Sequence, residues 1–292
     1  MTTSVIIPNW RGRKLLARNL PVVLKCGFDE VIVVDDASPD DSLSFLEREF
    51  PQVKVIKHKT NRGFSQSVND GVKVASGDIV FLLNLDVVPQ GDIIESVVKH
   101  FQKNENVFGV SLHEKGFGWS RPTLAGGFIA HLPGRETKDS HKTFWVSGGS
   151  GAFRKSLWDK LGGMDTLFSP FYWEDVDLSY RALRRGLKLI WEPEAMVLHK
   201  HESIINTEHF NPKKLFWIKD RNQLLFTWKH LTAWELISIH LPGLLKRLTK
   251  PGYWIVLLMA LSRLPQLMKG RIIEGREAKL SNAGILQQFS KT

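Results

Sequence analysis

The chain has 292 residues, of which 42% are hydrophobic and 24% charged, enough for one large domain or one domain with an appendage. Its single cysteine, Cys26, excludes an internal disulfide and a thiolate metal cluster, and is consistent with a reducing compartment. The N-terminal residues lack the pattern of a secretory signal and indicate a first strand instead. The net charge of +10 is uneven, because residues 203–292 carry 14 Lys and Arg against 5 Asp and Glu.

The first half of the sequence alternates β-rich runs with helical segments. Residues 30–35 form a near-continuous β-branched run, as expected of a strand that is buried on both faces. Strands that alternate with helices of this kind predict an α/β fold with a doubly wound, mostly parallel sheet. The predicted strands are 4–8, 30–35, 53–57, 78–83 and 107–112, and the helices between them are 10–25, 39–50, 64–75 and 89–102.

The middle of the sequence is rich in glycine and then strongly acidic. Residues 116–151 predict loops and a hairpin, which we expect to form a wall for a second substrate. Glu174, Asp175 and Asp177 then fall within four positions, and carboxylates so close repel one another unless a metal, a cation or a moving proton uses their charge. At the start of a helix, Glu174 and Asp175 also suit the macrodipole, so an acidic helix start with a solvated face is the alternative.

The last part of the sequence combines apolar and basic residues in long helical stretches. Its purest apolar run, Tyr253–Leu261, is far shorter than the roughly 20 residues that span a bilayer. We expect these helices to lie in a membrane interface. The alternative is that they fold back on the core and that their Lys and Arg residues form a solvated rim. The residues that indicate the interface are Trp234, Lys246, Arg247, Lys250, Trp254 and Lys269.

Polar residues follow the predicted strands at the edge where such sheets bind ligands. Asn9 follows the first strand, and Asp36 follows the second. Asn84 and Asp86 are two positions apart at the end of the fourth strand, so their side chains point the same way and can share one divalent cation or its water shell.

Other candidate site residues leave alternatives open. Asp36 can hydrogen-bond a base or ribose, or cap the following helix, and Gly63 can allow close approach of a ligand or serve only as a turn glycine. Two short strands are predicted at 188–191 and 196–198, and His199 lies at the end of the second. His199 is a candidate metal ligand, and His201 is the alternative. Phosphate-binding and dinucleotide-binding glycine motifs and a serine-hydrolase elbow do not occur, which argues against those enzyme classes.

Several motifs occur together in an order and spacing that is typical of one enzyme family. The sequence resembles family 2 glycosyltransferases of the GT-A fold over about residues 3–201, and the Asn84-Leu85-Asp86 motif is similar to that of a rhamnosyltransferase-like subgroup, which often has Pro in place of Leu85. The motifs are residues 4–10, residues 33–38, Asn61-x-Gly63-Phe64 with Asn69-x-Gly71, residues 82–87, residues 148–154, residues 162–165, Glu174-Asp175-x-Asp177-Leu178-x-x-Arg181, and His199.

The resemblance implies an inverting glycosyltransferase that moves a sugar from a UDP or dTDP sugar to a hydroxyl of a glycan or glycolipid. Residues 1–202 would form the catalytic domain and residues 203–292 a basic helical region. The resemblance assigns the nucleotide-sugar donor to Pro8, Asn9, Asp36, Gly63, Asn69 and Asn84, a divalent metal (Mg²⁺ or Mn²⁺) to Asp86 and His199, and catalysis to Asp175 as general base with Glu174 beside it.

Two other functions compete with this interpretation. A sugar-phosphate nucleotidyltransferase normally has a glycine-rich basic loop after its first strand, whereas residues 9–13 contain one glycine. A nucleic-acid-binding module would use residues 203–292, but they carry no recognised motif for RNA or DNA.

We therefore expect the partners to be a nucleotide sugar, a glycan or lipid-linked acceptor and an anionic membrane surface, with no nucleic acid. The expected location is cytoplasmic, peripheral on the inner face of the cell membrane.

Overall fold

The computed structural model describes residues 1–200 and 211–290. His201 and the domain boundary predicted after residue 202 lie outside the described residues. Up to residue 200, the elements in chain order are β1 (Thr3–Asn9), α1 (Arg13–Leu24), β2 (Glu30–Asp35), α2 (Ser42–Glu49), β3 (Lys54–Lys57), α3 (Phe64–Val74), β4 (Ile79–Leu83), β5 (Val87–Pro89), α4 (Ile93–Lys103), β6 (Val107–Glu114), β7 (Ser120–Ala125), β8 (Phe128–Pro133), β9 (His141–Lys142), β10 (Ser150–Arg154), α5 (Lys155–Leu161), α6 (Glu174–Arg184) and β11 (Lys188–His199). The later elements are α7 (Pro212–His230), α8 (Ala233–Glu235), a π-helical turn (Leu236–His240), α9 (Leu241–Leu248), α10 (Tyr253–Leu261), α11 (Leu264–Glu277) and α12 (Asn282–Gln288).

The central sheet has the strand order β3-β2-β1-β4-β10-β6-β11-β5, with β9 paired to β11. Strands β3, β2, β1, β4, β6 and β11 run in one direction, whereas β10 and β5 run against them. The predicted α/β architecture with a mostly parallel, doubly wound sheet is therefore confirmed. Strands β7 and β8 form the separate hairpin that residues 116–151 predicted.

Three predicted elements differ from the structure. Residues 150–154 form the antiparallel strand β10 in the middle of the sheet, where a side chain at Gly151 would meet the backbone of Ser147 at 2.5 Å. Helix α4 begins at Ile93, because residues 87–89 form the short strand β5. The two strands predicted at 188–191 and 196–198 are one strand, β11, which has an irregular register between Trp191 and Met196.

Two apolar layers cover the faces of the sheet, as alternation along β1 requires. Val5 and Ile7 pack in the layer that includes α1, α2 and α4, whereas Ile6 packs in the layer that includes α3, α5 and α6. The second layer also contains residues of the C-terminal helices, among them Phe226 of α7 and Val256 of α10. These helices therefore complete the core on one face of the sheet.

A buried cluster of charges joins α6 to α7. Asp177 is fully buried, and its carboxylate accepts hydrogen bonds from Arg181 of its own helix and from Lys229 and His230 of α7. Although burial opposes it, the charges of Lys229 and Arg181 hold the pKa of Asp177 well below its usual range. The third acid of the acidic segment thus points away from the first two and anchors α7.

The outer face of the C-terminal helices remains apolar. Trp234, Leu245, Trp254 and Leu258 are each more than half exposed. Within residues 1–200 and 211–290, no helix combines the length and hydropathy that crossing a membrane requires. The predicted interfacial role of these helices stays a prediction.

Candidate active site

A cleft of about 620 Å³ lies at the carboxyl ends of β1, β2 and β4. It brings together most of the residues that the sequence singled out, although they are far apart in the chain. The cleft is lined by Pro8, Asn9, Trp10, Asp36, Asn61, Gly63, Phe64, Asn84, Asp86, His131, Trp145, residues 147–149, residues 170–176 and Lys219.

The carboxylate of Asp36 organises the loop that precedes α3. It accepts hydrogen bonds from the backbone amides of Arg62 and Gly63, each at 2.8 Å, and lies 2.7 Å from Nδ1 of His58. Gly63 has φ of 82°, a conformation that residues with a side chain rarely adopt. Because a carboxylate has about four acceptor positions, Asp36 retains room for one further donor from a ligand.

Asn9 and Asn69, both predicted to bind the donor, have different surroundings. Asn9 is almost fully buried. Its Nδ2 donates to Asp35 at 2.6 Å, and its buried Oδ1 has no hydrogen-bond partner in the described part of the chain. The structure does not bring Asn69 to the cleft. Its side-chain amide instead donates to the carbonyl of Met164 and accepts from the amide of the same residue, so it fixes the loop after α5.

Asp86 lines the cleft, and the side chain of His199, which is not one of the lining residues, lies against it. His199 Nε2 lies 3.3 Å from Asp86 Oδ2, and His199 Nδ1 lies 2.9 Å from Glu114 Oε2. Burial alone would lower the pKa of His199, but its hydrogen bonds to Asp86 and Glu114 raise it to about 9. The imidazole is therefore held between two carboxylates.

These residues fit a hard divalent cation. Among the residues that the structure describes, Asp86 Oδ2 is buried and has no hydrogen bond of good geometry, and a carboxylate with an imidazole is a donor set that Mg²⁺ or Mn²⁺ accepts. Glu114 would orient His199 through its other nitrogen. Asn84 lies beside them, packed against the backbone of Gly149. No three His, Cys, Asp or Glu side chains of the described residues converge into a complete metal site, so a cation here would need further ligands from a bound diphosphate or water.

Asp175 and Glu174 enter the cleft from the start of α6. Asp175 Oδ2 accepts a hydrogen bond from the amide of Gly148 at 3.0 Å, which directs the carboxylate toward the loop before β10. Glu174 is 5% exposed, and its Oε2 has no hydrogen-bond partner within residues 1–200 and 211–290. Burial and then the nearby charge of Asp175 raise the pKa of Glu174 well above its ordinary value. The two neighbouring acids therefore have unlike environments, a pattern that separates acid and base roles in active sites.

One wall of the cleft is formed by residues that the sequence pattern did not identify individually. His131 of β8 packs against Trp145, with ring centroids 4.9 Å apart, and lies 6.2 Å from Trp173. Burial lowers the pKa of His131 against the opposing charge of Asp175, so this wall is aromatic and largely uncharged. Lys219 of α7 lines the same cleft. The glycine-rich pattern of 116–151 indicated a wall here but not its residues, and nothing distinguished Lys219 from the other basic residues of its helix.

Comparison with known proteins finds similarity in sequence. Residues 4–162 match the family model described as Glycosyl transferase family 2. The chain is 31% identical over 182 residues to a pre-mycofactocin glycosyltransferase of Mycobacterium tuberculosis, a match that covers 59% of this chain and 38% of that protein. The chain spans about a third of the length of the curated relatives that it matches.

Solved structures share the fold at low sequence identity. GalNAc-T7 with UDP, GalNAc and Mn²⁺ superposes with a TM-score of 0.65 at 18% identity, over 80% of this chain and 49% of that one. A mannosyltransferase from Pyrobaculum calidifontis in complex with GDP-Man and Mn²⁺ gives a TM-score of 0.57 at 18% identity, over 99% of this chain and 79% of that one. The predicted GT-A-like fold is confirmed.

Proposed function

The chain belongs to glycosyl transferase family 2, and on this basis we propose that it moves a sugar from a UDP or dTDP sugar to a hydroxyl of a glycan or glycolipid, with inversion. The family predicted from the sequence is confirmed, whereas the rhamnosyltransferase-like subgroup stays a prediction. One observation carries the proposal: Asp36, Asp86 and Asp175 come from three distant parts of the chain and line a single cleft. Such a cleft offers a nucleotide position, a cation position and a base.

The donor lies along the carboxyl ends of β1, β2 and β4. Pro8 and Asp36 contact the nucleoside, and the backbone at Gly63 allows it to approach closely. The remaining acceptor position of Asp36 suits a donor N–H of a uracil or thymine ring. Similar solved structures that hold UDP or GDP-Man support a nucleotide sugar as the ligand.

Asp86 and His199, with Asn84 nearby in the chain, would hold a divalent cation that assists the diphosphate leaving group. When bound, such a cation neutralises the charge that accumulates on the departing nucleoside diphosphate. The buried Oδ2 of Asp86, which lies 3.3 Å from His199 Nε2, supports this assignment, and so does the Mn²⁺ in similar solved structures.

Asp175 takes the proton of the acceptor hydroxyl as that oxygen attacks the anomeric carbon. A sugar hydroxyl is a weak nucleophile, so a carboxylate within reach of its proton is needed. The hydrogen bond from Gly148 holds Asp175 in place, and burial raises the pKa of the neighbouring Glu174, which disfavours its charged form. A single base on the face opposite the leaving group gives one displacement, hence inversion.

The acceptor binds against the wall formed by His131, Trp145 and Trp173. Planar, apolar rings of this kind suit the apolar face of a sugar ring. The exposed apolar residues of α8 to α11, interleaved with Lys and Arg, support a peripheral position on an anionic membrane at the cytoplasmic face. That position would bring the cleft to lipid-linked acceptors.

Binding and product analysis test this function together. The full chain is titrated with UDP and dTDP sugars, with and without Mn²⁺, and thermal stability and the released products are measured. A nucleotide sugar should raise the melting temperature in the presence of Mn²⁺, because only a ligand of the folded form stabilises it. Release of nucleoside diphosphate supports glycosyl transfer. Release of pyrophosphate from a nucleoside triphosphate and a sugar phosphate would support the nucleotidyltransferase, and no response to any nucleotide would refute both.

A further inference from the structure

The loop that leads into Glu174 and Asp175 is held by residues outside it. Every backbone carbonyl from residue 167 to residue 172 accepts a hydrogen bond, and five of the six bonds come from side chains of α7 or of the residue before α11. The donors are Arg263 to Leu167 (3.0 Å), Asn222 to Phe168 (2.5 Å), Arg221 to Ser169 (2.6 Å), the amide of Phe64 to Pro170 (3.2 Å), and Asn222 to both Phe171 and Tyr172 (2.9 Å each).

Asn222 is the centre of this arrangement. It is fully buried, and the two N–H groups of its amide nitrogen are shared among three carbonyls of the loop, all within 2.9 Å. Its Oδ1 accepts from Nε of Arg221 at 2.9 Å, so the two side chains fix each other. Arg221 is itself buried and forms no ion pair with a carboxylate in the described part of the chain. Its role here is therefore to donate to carbonyl oxygens.

The loop needs such support, because two of its residues have an unfavourable backbone conformation. Tyr172 has φ of 74° and Trp173 has φ of 77°, the left-handed region that residues with a side chain rarely adopt. Strain of this kind persists only where the surrounding structure fixes it, and it concentrates at functional sites. Trp173 also packs on Phe226 of α7, with ring centroids 5.2 Å apart.

We propose that Asn222 and Arg221 are positioning residues: they hold the loop 167–173 in the conformation that places Asp175 at the acceptor hydroxyl. Both lie outside the segment that matches the family model. Asn222 and Arg221 then support the catalytic loop from helix α7, and neither side chain lines the cleft. The inference rests on the proposed function, because it takes Asp175 as the base.

A double-mutant cycle tests the inference with Asn222→Ala, Asp175→Asn and the combined variant. Asn222→Ala should lower kcat at least 10-fold and leave the affinity for the nucleoside diphosphate within about twofold. If Asn222 acts through Asp175, adding Asn222→Ala to Asp175→Asn should lower kcat no further, because the two changes remove the same contribution. Leu224→Ala, an equally buried change on α7, controls for lost packing and should leave kcat near that of the parent.

The outcomes separate this inference from the proposed function. If Asp175→Asn keeps normal turnover, the proposed base is wrong. If Asp175→Asn is impaired, three results would refute the positioning role. Asn222→Ala could retain the kcat of the parent, or it could lower kcat no more than Leu224→Ala does. It could also lower kcat by the same factor in the Asp175→Asn background as in the parent. Should Asn222→Ala fail to fold, Arg221→Met replaces it in the cycle. That change leaves no buried carboxylate unpaired among the described residues, and the same outcomes apply.

Discussion

His199 Nε2 lies 3.3 Å from Oδ2 of Asp86, while Glu114 holds the other nitrogen of the ring at 2.9 Å. Without a cation, a proton on the imidazole links the two carboxylates. In the proposed function, Asp86 and His199 would be ligands of a divalent cation, and Glu114 would orient the His199 ring. The proposed cation position would then depend on a third residue that is not itself a ligand.

We predict that Glu114→Gln weakens Mn²⁺ binding by about 10- to 100-fold, the usual effect of removing a partner that orients a ligand. Asp86→Asn should weaken it further, because it removes a ligand. The measurement is the Mn²⁺ concentration at which nucleoside diphosphate stabilises each variant against heat. Asp92→Asn, which changes the exposed N-cap of α4, is the control. Equal Mn²⁺ dependence in Glu114→Gln and the parent would remove Glu114 from this role.

The base is tested by changing each acid of the acidic segment in turn. Asp175→Asn should lower kcat by about 10²–10⁴-fold, the usual contribution of general-base catalysis, and leave donor affinity unchanged. Glu174→Gln is the matched control, because burial raises the pKa of Glu174 and so disfavours its charged form, and the amide preserves the shape of the side chain. We expect Glu174→Gln to lose much less turnover. The opposite ranking in steady-state kinetics would exchange the roles of the two acids.

The sheet and its ligand edge were predictable because they depend on local patterns. Runs of β-branched residues gave β2 and β4 within one or two residues, and the polar residues that follow them do meet in the cleft. Strand β10 was missed because its Ser-Gly-Ala start carries no strand preference. It forms because glycine allows close packing against Ser147.

The supports of the site were not predictable, because they are long-range pairs. Asn69 occurs in a motif of the donor site, yet its amide is used by Met164, 95 residues away. Asn222 and Arg221 occur in a helix whose sequence suggests only a basic amphipathic segment, and their partners lie about 50 residues earlier. Such pairings depend on how α7 docks, which no local pattern specifies.

The exposed face of α10 should determine membrane binding. Trp254 and Leu258 are 58% and 56% exposed and four residues apart, so they lie on one face of the helix. We predict that the double change Trp254→Ser and Leu258→Ser reduces sedimentation with anionic liposomes several-fold and leaves transfer to a water-soluble acceptor unchanged. Val74→Ser, an exposed position on α3, should bind like the parent. Undiminished sedimentation of the double variant would exclude this face as the membrane contact.

Removing the chain after about residue 206 is not an equivalent test of membrane binding. Asp177 would lose Lys229 and His230, which leaves Arg181 as its remaining partner in the buried cluster. Loss of partners from a buried charge is strongly destabilising. Weak liposome binding by such a fragment would therefore reflect unfolding as much as a lost anchor, and surface substitutions avoid this problem.

Acid should destabilise the junction of α6 and α7 through His230. Burial, against the pull of Asp177, lowers the pKa of His230 to about 4, whereas the unfolded chain has an ordinary value of about 6.5. As pH falls from 6.5 to 4, the unfolded chain takes up the proton first, so stability that is present above pH 6.5 is lost across this window. Urea midpoints at pH 7, 5.5 and 4.5 measure the loss. His131 and His240 also have lowered pKa values, so the parent is compared with His230→Gln at each pH. The variant should lose less stability than the parent over the same window. Parallel pH dependence of parent and variant would show that His230 does not cause the acid sensitivity.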